Sequence, residues 1–239
     1  MTGTILNVVT VLVGGILGAM LGGRLPEKVR ETVMNGLGLL VFVIGLQMAL
    51  TTQNMLIVLV SILFGGIIGE LVGIQAWLDG IGQKLEARFA RGGEAGTFTR
   101  GFVTASLVFC VGPLAILGSI QDGLLGDFNL LAIKSALDAF AGLAFASTLG
   151  IGVAFAALTV LIYQGGISLA AMLLGSALGS VSRETPWVIE MTATGGVLIM
   201  GIALLLLDLK RVRIANLLPA VFLAPATVVV LSALKLGGF

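Results

Sequence analysis

Eight apolar runs, each about 20 residues or longer, follow one another along this chain of 239 residues. A helix of about 20 residues spans the roughly 30 Å hydrocarbon core of a bilayer. Inside that core every backbone polar group must be paired within the protein, so such runs fold as helices. The sequence therefore predicts an all-α, polytopic transmembrane helix bundle of about eight spans. The runs cover residues 3–23, 32–51, 54–74, 99–122, 129–149, 153–178, 188–208 and 214–236.

Composition supports the membrane assignment and excludes several classes of function. Charged residues make up only 10% of the chain, whereas they make up about a quarter of a typical soluble domain. The chain has no histidine, and Cys110 is its single cysteine, which argues against zinc sites, disulfides and His-based triads. A net charge of +1 argues against nucleic-acid binding. With no P-loop or nucleophile motif, we expect neither an enzyme nor a bound cofactor or metal.

Basic residues give the predicted spans an orientation. They cluster after the first, third and seventh spans, which places all the clusters on one side of an eight-span bundle. The positive-inside rule makes that side cytoplasmic and places both termini outside. The turn near Gly150 should be cytoplasmic too but is uncharged, so the span count is least supported there. The clusters contain Arg24, Lys28 and Arg30; Lys84, Arg88, Arg91 and Arg100; and Lys210, Arg211 and Arg213.

One stretch, residues 75–91, is amphipathic rather than apolar throughout. Apolar side chains such as Trp77, Leu85 and Phe89 recur there at helical spacing, with Lys84 and Arg88 between them. A helix of this kind lies in the membrane interface. Together with a linker-like segment at 92–96, the pattern predicts a cytoplasmic interfacial segment over residues 75–97. The rest of residues 1–239 is predicted to be a single transmembrane domain.

The first and third spans resemble each other. Thr10–Gly22 aligns without gaps to Ser61–Gly73, and both carry a GxxxG pair. Small residues at that spacing let helices approach closely, either within one chain or in a homodimer. A weaker match of spans one to three with spans six to eight suggests inverted repeats, which are common in secondary transporters. Chance similarity between glycine-rich helices stays an open alternative.

Two spans carry residues that weaken a helix near its middle. The fourth contains Gly112-Pro113, and the sixth contains Gly165-Gly166 directly after Gln164. Proline lacks the backbone donor and clashes with the preceding turn. Broken helices are tolerated in membranes where they face protein or a watery cavity. We expect discontinuous or kinked fourth and sixth spans that frame a binding site, with a simple kink as the alternative.

Polar and ionisable residues at membrane depth mark the candidate site. Lys134 and Asp138 are one helical turn apart in the fifth span and can pair. A charge in a bilayer is costly, which makes such residues functional candidates, although a purely structural ion pair is the alternative. Oxygen and amide ligands without histidine suit Na⁺ or protons. The candidate substrate- or ion-binding residues are Gln121, Asp122, Lys134, Ser135, Asp138, Ser147, Thr148 and Gln164.

Several segments resemble one family of bacterial membrane proteins, the YqgA/YdfK family. The resemblance covers nearly the whole chain in one order and includes the segments that carry the helix break and the Lys-Asp pair. It implies a bacterial inner-membrane protein of a family expected to transport solutes but with no assigned substrate. The resembling segments are Arg24–Pro26, Phe109–Leu124, Lys134–Asp138, Ala146–Val153, Tyr163–Gly165 and Arg213–Pro219.

These observations favour an ion-coupled secondary transporter of a small solute, with its site between spans four, five and six. The bilayer and an unidentified solute or ion are the expected partners, and a homodimer is an open alternative. A passive channel lined by small residues, or a non-transporting scaffold or regulatory subunit, would also fit the apolar spans. Dependence of uptake on an ion gradient separates the first hypothesis from the other two.

Overall fold

The structure is a computed structural model and describes residues 1–22, 26–89, 96–174 and 184–234. Within these ranges the chain forms ten α-helices and one 3-10 helix, with no β-strand. The α-helices are α1 (Thr2–Gly22), α2 (Glu27–Ala49), α3 (Met55–Val72), α4 (Ile74–Phe89), α5 (Thr97–Val111), α6 (Pro113–Leu124), α7 (Asn129–Leu149), α8 (Gly152–Leu174), α9 (Pro186–Leu206) and α10 (Pro219–Ala233), and the 3-10 helix Ile214–Leu217 precedes α10.

The predicted all-α polytopic bundle is confirmed. In the described part of the chain, α1, α2, α3, α7, α8 and α9 are each long and apolar enough to cross a membrane, as is Ile214–Ala233. The pair α5 and α6 provides an eighth apolar stretch, bent by 62°. Each predicted span therefore corresponds to a helix or a helix pair.

The fourth span is broken where the sequence predicts it, at Gly112 and Pro113, between α5 and α6. Pro113 is the first residue of α6. The N–H of a first helical residue makes no hydrogen bond within its helix, so proline loses nothing there. The predicted discontinuity of the sixth span is wrong, because α8 runs without interruption through Gly165 and Gly166. Glycine costs a helix about 1 kcal/mol relative to alanine. Unlike proline, however, it keeps its backbone donor, so the helix continues.

The chain divides into two compact units. Unit 1 comprises Met1–Leu37, Leu78–Cys110 and Leu114–Ser180, and unit 2 comprises Gly38–Trp77, Val111–Pro113 and Val181–Phe239. In unit 1, α1 packs against α7 and α8; in unit 2, α3 packs against α9, α10 and the 3-10 helix. The single transmembrane domain stays a prediction.

The glycine face of α1 packs directly on the backbone of α7. A Cβ atom at Gly14 would lie 2.3 Å from the carbonyl oxygen of Ala139, and one at Gly18 would lie 2.2 Å from that of Leu143. Both contacts are too short for any side chain, so glycine is needed for this approach. Residue numbers rise together on the two helices, which shows that α1 and α7 run parallel.

In unit 2, the glycine face of α3 packs in the same manner but in the opposite direction. A Cβ atom at Gly65 would lie 2.4 Å from the Ala220 nitrogen, and one at Gly69 would lie 1.9 Å from the Asn216 carbonyl oxygen. Here the residue numbers rise along α3 while those of the contacted residues fall, so α3 and α10 run antiparallel. The two GxxxG faces are thus used within the chain.

These helix directions support eight crossings. If α5 and α6 together cross once, α1 and α7 are spans one and five and run parallel, while α3 and α10 are spans three and eight and run antiparallel. If α5 and α6 instead entered and left the membrane on one face, α1 and α7 would run antiparallel, and α3 and α10 would run parallel. The packing inside each unit therefore favours a broken but complete crossing by α5 and α6.

The amphipathic stretch forms α4, as predicted. Its Trp77 and Phe89 side chains are exposed, while Leu78 and Gly82 are buried. Glu86 accepts hydrogen bonds from the backbone nitrogen of Gly96 (2.7 Å) and from the Thr99 hydroxyl (2.5 Å) at the start of α5. The interfacial, cytoplasmic placement of this segment stays a prediction. Residues 90–95, which include most of the predicted linker 92–96, lie outside the described residues, as do Arg24 and Arg91 of the basic clusters.

Candidate functional site

Lys134 and Asp138 lie one turn apart on α7, which runs Asn129–Leu149, and Asp138 is near the middle of the helix. The Lys134 ammonium and Asp138 Oδ2 are in direct contact, and both side chains are buried. The ammonium also lies 6.0 Å from the centre of the Phe109 ring, within the range of a cation–π interaction. Two opposite charges are thus held at membrane depth in unit 1.

Two buried amide side chains from other helices complete a four-residue cluster, which we call the central cluster. Asn7 Nδ2 on α1 donates to Asp138 Oδ2 (3.0 Å) and to Gln164 Oε1 on α8 (3.2 Å). Asn7 and Gln164 are both fully buried. The central cluster therefore consists of Asn7, Lys134, Asp138 and Gln164, contributed by α1, α7 and α8.

The central cluster leaves hydrogen-bonding capacity unused. The carboxylate requires a donor, so Asn7 must turn its Nδ2 toward Asp138, and Gln164 must turn its Oε1 toward Asn7. Asn7 Oδ1 and Gln164 Nε2 then have no hydrogen-bond partner among the described residues. Most buried polar atoms in folded proteins are paired, so these two unpaired atoms require a structural or functional explanation.

A second polar layer lies one helical turn away, toward the start of α1. The hydroxyls of Thr4 on α1 and Ser168 on α8 are 3.4 Å apart. Asp122 on α6 accepts from the Thr4 backbone nitrogen at 3.4 Å, and its other oxygen is 3.2 Å from the Met1 amino nitrogen. Thr4, Ser168 and Asp122, which we call the upper layer, are all buried.

The sequence of α1 explains why these groups meet. Thr4, Asn7, Val11, Gly14 and Gly18 follow one another at intervals of three and four residues and are all buried. Residues at that spacing share one helix face. The glycines on this face let α1 approach α7 closely, which brings Asn7 within hydrogen-bonding distance of Asp138.

Four of the predicted site residues belong to these two layers: Asp122, Lys134, Asp138 and Gln164. Ser135 is buried but donates to the Leu131 carbonyl of its own helix at 2.6 Å. Gln121 is half-buried on α6, next to Asp122.

Ser147 and Thr148 lie outside the cluster, contrary to the prediction of one shared site. They follow Asp138 by nine and ten residues, or about 14–15 Å along α7. Their hydroxyls donate to the carbonyls of Ala144 and Phe145 in their own helix. A helix carries residues nine positions apart to different depths, so small hydroxyl residues near its end cannot reach its middle.

Sequence reasoning missed Thr4, Asn7 and Ser168 as members of the site. The available signal was spacing: Thr4 and Asn7 are three residues apart on the face of α1 that carries the glycines, and Gln164 and Ser168 are four apart on α8. The two glycines of the predicted break, Gly165 and Gly166, lie in different surroundings. Gly165 is buried beside Thr4, whereas Gly166 is exposed on the other side of α8.

The membrane carboxylates of unit 2 have structural partners at helix ends. Glu190 on α9 is fully buried and accepts from the Thr52 hydroxyl (2.7 Å) and from the backbone nitrogens of Gln53 (2.8 Å) and Asn54 (3.0 Å). It thereby satisfies donors at the start of α3. Glu70, near the end of α3, binds Arg213 and Asn216 instead.

Comparison with known proteins places the chain in a family. The family described as "Protein of unknown function (DUF554)" matches residues 2–229. The chain belongs to this family. It is 31% identical over 242 aligned residues to the "Uncharacterized membrane protein YdfK" of Bacillus subtilis (strain 168), with 99% of each chain covered. It is 30% identical over 226 residues to the "Uncharacterized protein YqgA" of Escherichia coli (strain K12), covering 93% of this chain and 94% of that protein. No solved structure matches.

The family assignment confirms the resemblance found in the sequence. One relative is named as a membrane protein, in agreement with the apolar helices of this chain. The chain is therefore a multi-pass membrane protein in contact with a lipid bilayer.

Proposed function

We propose that this protein is an ion-coupled secondary transporter of a small solute, and that the central cluster is its coupling site. We further propose that it resides in the bacterial inner membrane with both ends on the outer face, as the basic clusters suggest. The single observation that carries the proposal is Asp138 at the middle of α7, buried with Lys134 and two incompletely bonded amides.

Stability alone is a poor reason for such a cluster. Replacing a buried ion pair with apolar residues of similar volume is often neutral or stabilising, because burial removes the hydration of both charges. A cluster kept for stability would also be expected to satisfy its amides, whereas Asn7 Oδ1 and Gln164 Nε2 are unpaired among the described residues. Ionisable groups kept at this depth are typical of ion pathways and carriers.

The geometry supplies a physical basis for coupling. Asp138 Oδ2 accepts from both Lys134 and Asn7, so a cation or proton that neutralises this carboxylate would weaken both contacts. Binding would then weaken the attachment of α1 to α7 on one side of the cluster. A ligand shifts a conformational equilibrium only through such differential contacts.

The test uses purified protein in proteoliposomes adsorbed on a solid-supported membrane. Jumps in the concentration of individual amino acids, carboxylates, sugars and nucleosides are applied under pH and Na⁺ gradients. We expect a saturable, gradient-dependent current for at least one solute class and its loss in Asp138→Asn. Asp127→Asn is the matched control, because Asp127 is an exposed carboxylate in the α6–α7 loop.

Two results would overturn the proposal. Current that rises linearly with solute and ignores the ion gradient would favour a passive channel. The absence of any protein-dependent current, with Asp138→Asn changing only stability or partner binding, would favour a scaffold or regulatory subunit.

A further inference from the structure

We propose that the solute is a small zwitterion, an α-amino acid, and that it binds to the unused polar atoms of the central cluster. This inference rests on the proposed function and names its substrate class. The observation behind it is the hydrogen-bonding capacity that the contacts within the cluster leave over, together with the two opposite charges at its centre.

The central cluster has two acceptors and two donors to spare. Both hydrogen bonds to Asp138 end on Oδ2, which leaves Oδ1 without a donor among the described residues. Within the same part of the chain, Asn7 Oδ1 is a second unpaired acceptor and Gln164 Nε2 is an unpaired donor. The Lys134 ammonium has three N–H groups, and its one hydrogen-bond partner in the described ranges is Asp138. One acceptor and one donor are therefore charged, and one of each is neutral.

These unused atoms lie near one another. Asn7 Nδ2 is 3.0 Å from Asp138 Oδ2 and 3.2 Å from Gln164 Oε1. The two polar atoms of an amide are only about 2.2 Å apart, so Asn7 Oδ1 and Gln164 Nε2 lie within about 8 Å of each other. Lys134 Nζ is in direct contact with Asp138. The donors and acceptors are thus gathered on the scale of one small metabolite.

The charges of the cluster favour a solute that carries both signs. A solute with a single charge is attracted by one member of the Lys134–Asp138 pair and repelled by the other. A zwitterion is attracted by both, because each of its charges can face the opposite charge of the pair. Its net charge is zero, so the buried region gains no net charge when it binds, and a buried net charge is costly.

The two unpaired amide atoms extend the two charged groups. The solute ammonium would donate to Asp138 Oδ1 and Asn7 Oδ1, and the solute carboxylate would accept from Lys134 and Gln164 Nε2. Lys134 and Asp138 keep their own contact, because each has bonding capacity left over. Since these two groups touch each other, the charges of the solute must also be close together. They are close in an α-amino acid, where one carbon carries both, and further apart in an ω-amino acid.

The charged pair is easier to reach than the amides. The side chains of Asp138 and Lys134 keep 11% and 6% of their surface exposed, whereas Asn7 and Gln164 are fully buried. A solute that contacts the pair therefore reaches the amides only when α1 and α8 move apart. Binding would in this way favour a different arrangement of the helices, as a carrier requires.

The first experiment measures binding to the unmodified protein in detergent micelles. Thermal unfolding is followed with each standard α-amino acid at concentrations up to the millimolar range, since a ligand of the folded state raises the unfolding temperature. For each amino acid that does so, calorimetry compares its Kd with those of the amine without the carboxylate, the carboxylic acid without the amine, and the ω-amino isomer. We expect the α-amino acid to bind about tenfold more tightly than each analogue, because each analogue loses a hydrogen bond to a charged group.

The second experiment separates a role in binding from a role in folding. Gln164→Met keeps the approximate length of the side chain but removes the donor assigned to the solute carboxylate. It should weaken binding of the amino acid about tenfold and leave binding of the amine without the carboxylate nearly unchanged. A general structural defect would weaken both ligands alike. Gln83→Met is the matched control, because Gln83 is exposed on α4. The ligand series decides the question by itself if Gln164→Met does not fold.

Three results would overturn the inference. The first is that no α-amino acid raises the unfolding temperature, in which case the unpaired amide atoms hold water only. The second is that an analogue with a single charge binds as tightly as the amino acid. The third is that Gln164→Met, like Gln83→Met, leaves the ratio of the two Kd values unchanged.

The proposed function fails separately. If solute currents arise with sugars or nucleosides instead of amino acids, and are lost in Asp138→Asn, the transporter stands and the zwitterion does not. If an α-amino acid binds with the expected dependence on both of its charges but gives no current under any gradient, the binding site stands and the transporter does not.

Discussion

Helix α1 of unit 1 and helix α3 of unit 2 both pack through a face of glycines, but they differ in the side chains that these contacts enclose. The alignment of Gly14 with Gly65 and of Gly18 with Gly69 places Asn7 opposite Val58. Asn7 is fully buried and bonds to two other helices, whereas Val58 is buried as an apolar side chain. The glycine spacing therefore sets how closely a helix packs, and one residue two turns earlier decides whether the contact encloses polar groups.

The carboxylates follow the same division. In unit 2, Glu190 and Glu70 lie near helix ends and bond to backbone donors or to Arg213. In unit 1, Asp138 lies at the middle of its helix and has an ammonium as its partner. Carboxylates at helix ends are ordinary structural features, whereas one at mid-helix in a membrane requires a different explanation.

The largest expected effect comes from breaking the ion pair of unit 1. Lys134→Met alone leaves Asp138 as an uncompensated buried charge and should lower the free energy of unfolding by about 3–5 kcal/mol. The double variant Lys134→Met/Asp138→Leu, which makes the contact apolar as it is around Val58, should recover most of that loss. Unfolding in mixed detergent micelles measures both, and a double variant as unstable as the single one would contradict the idea that the pair is dispensable for folding.

The next effect tests whether the glycine contacts are equivalent in the two units. Gly18→Ala and Gly69→Ala each place a Cβ atom against a backbone carbonyl, at 2.2 and 1.9 Å, and should each destabilise the protein by about 2–3 kcal/mol. Gly36→Ala is the control, because a Cβ atom there meets nothing within 4 Å. Thermal unfolding gives the ranking, and a control as damaging as Gly18→Ala would show that the close backbone contacts do not account for the loss of stability.

Exchanging Asn7 and Val58 between the units should have a smaller effect on stability but separate effects on function. Asn7→Val removes two donated hydrogen bonds and should cost about 1–2 kcal/mol, with loss of solute current. Val58→Asn buries an amide among apolar side chains and should cost a similar amount, with the current retained. Equal loss of current in both variants would remove the functional distinction between the units.

The smallest expected effect concerns a carboxylate outside both glycine contacts. The hydrogen bond from Thr99, with further bonds from the backbone of Gly96 and Thr99, holds the pKa of Glu86 below its ordinary value. A lowered pKa contributes stability above the ordinary value that is lost as the pH falls through the folded-state value. Glu86 is only partly buried, so we expect only a small fall in unfolding temperature as the pH falls below the ordinary value of 4.5, and this fall should be absent in Glu86→Gln. An identical pH profile in both proteins would show that the hydrogen bonds accepted by Glu86 contribute nothing to stability.

Much of the fold could be predicted because its signals are local. The apolar runs, the amphipathic α4 and the Pro113 break all follow from a few consecutive residues. The failure at Gly165 and Gly166 has a physical reason, since two glycines weaken a helix without removing a donor. The site was predicted only in part, because the pair Lys134–Asp138 is local to one helix, whereas Asn7 lies 131 residues away in the chain.

The sequence by itself determined that the chain lies in a membrane, roughly where its helices lie, and that Lys134 and Asp138 share a helix face, because hydropathy, proline and helical spacing act over short distances. Only the tertiary structure decided that α1 runs parallel to α7, that Asn7 and Gln164 reach Asp138, and that Ser147 and Thr148 do not. The reason is geometric: a glycine pair fixes how near two helices come, but which helix it meets, and in which register, depends on the packing of the whole unit.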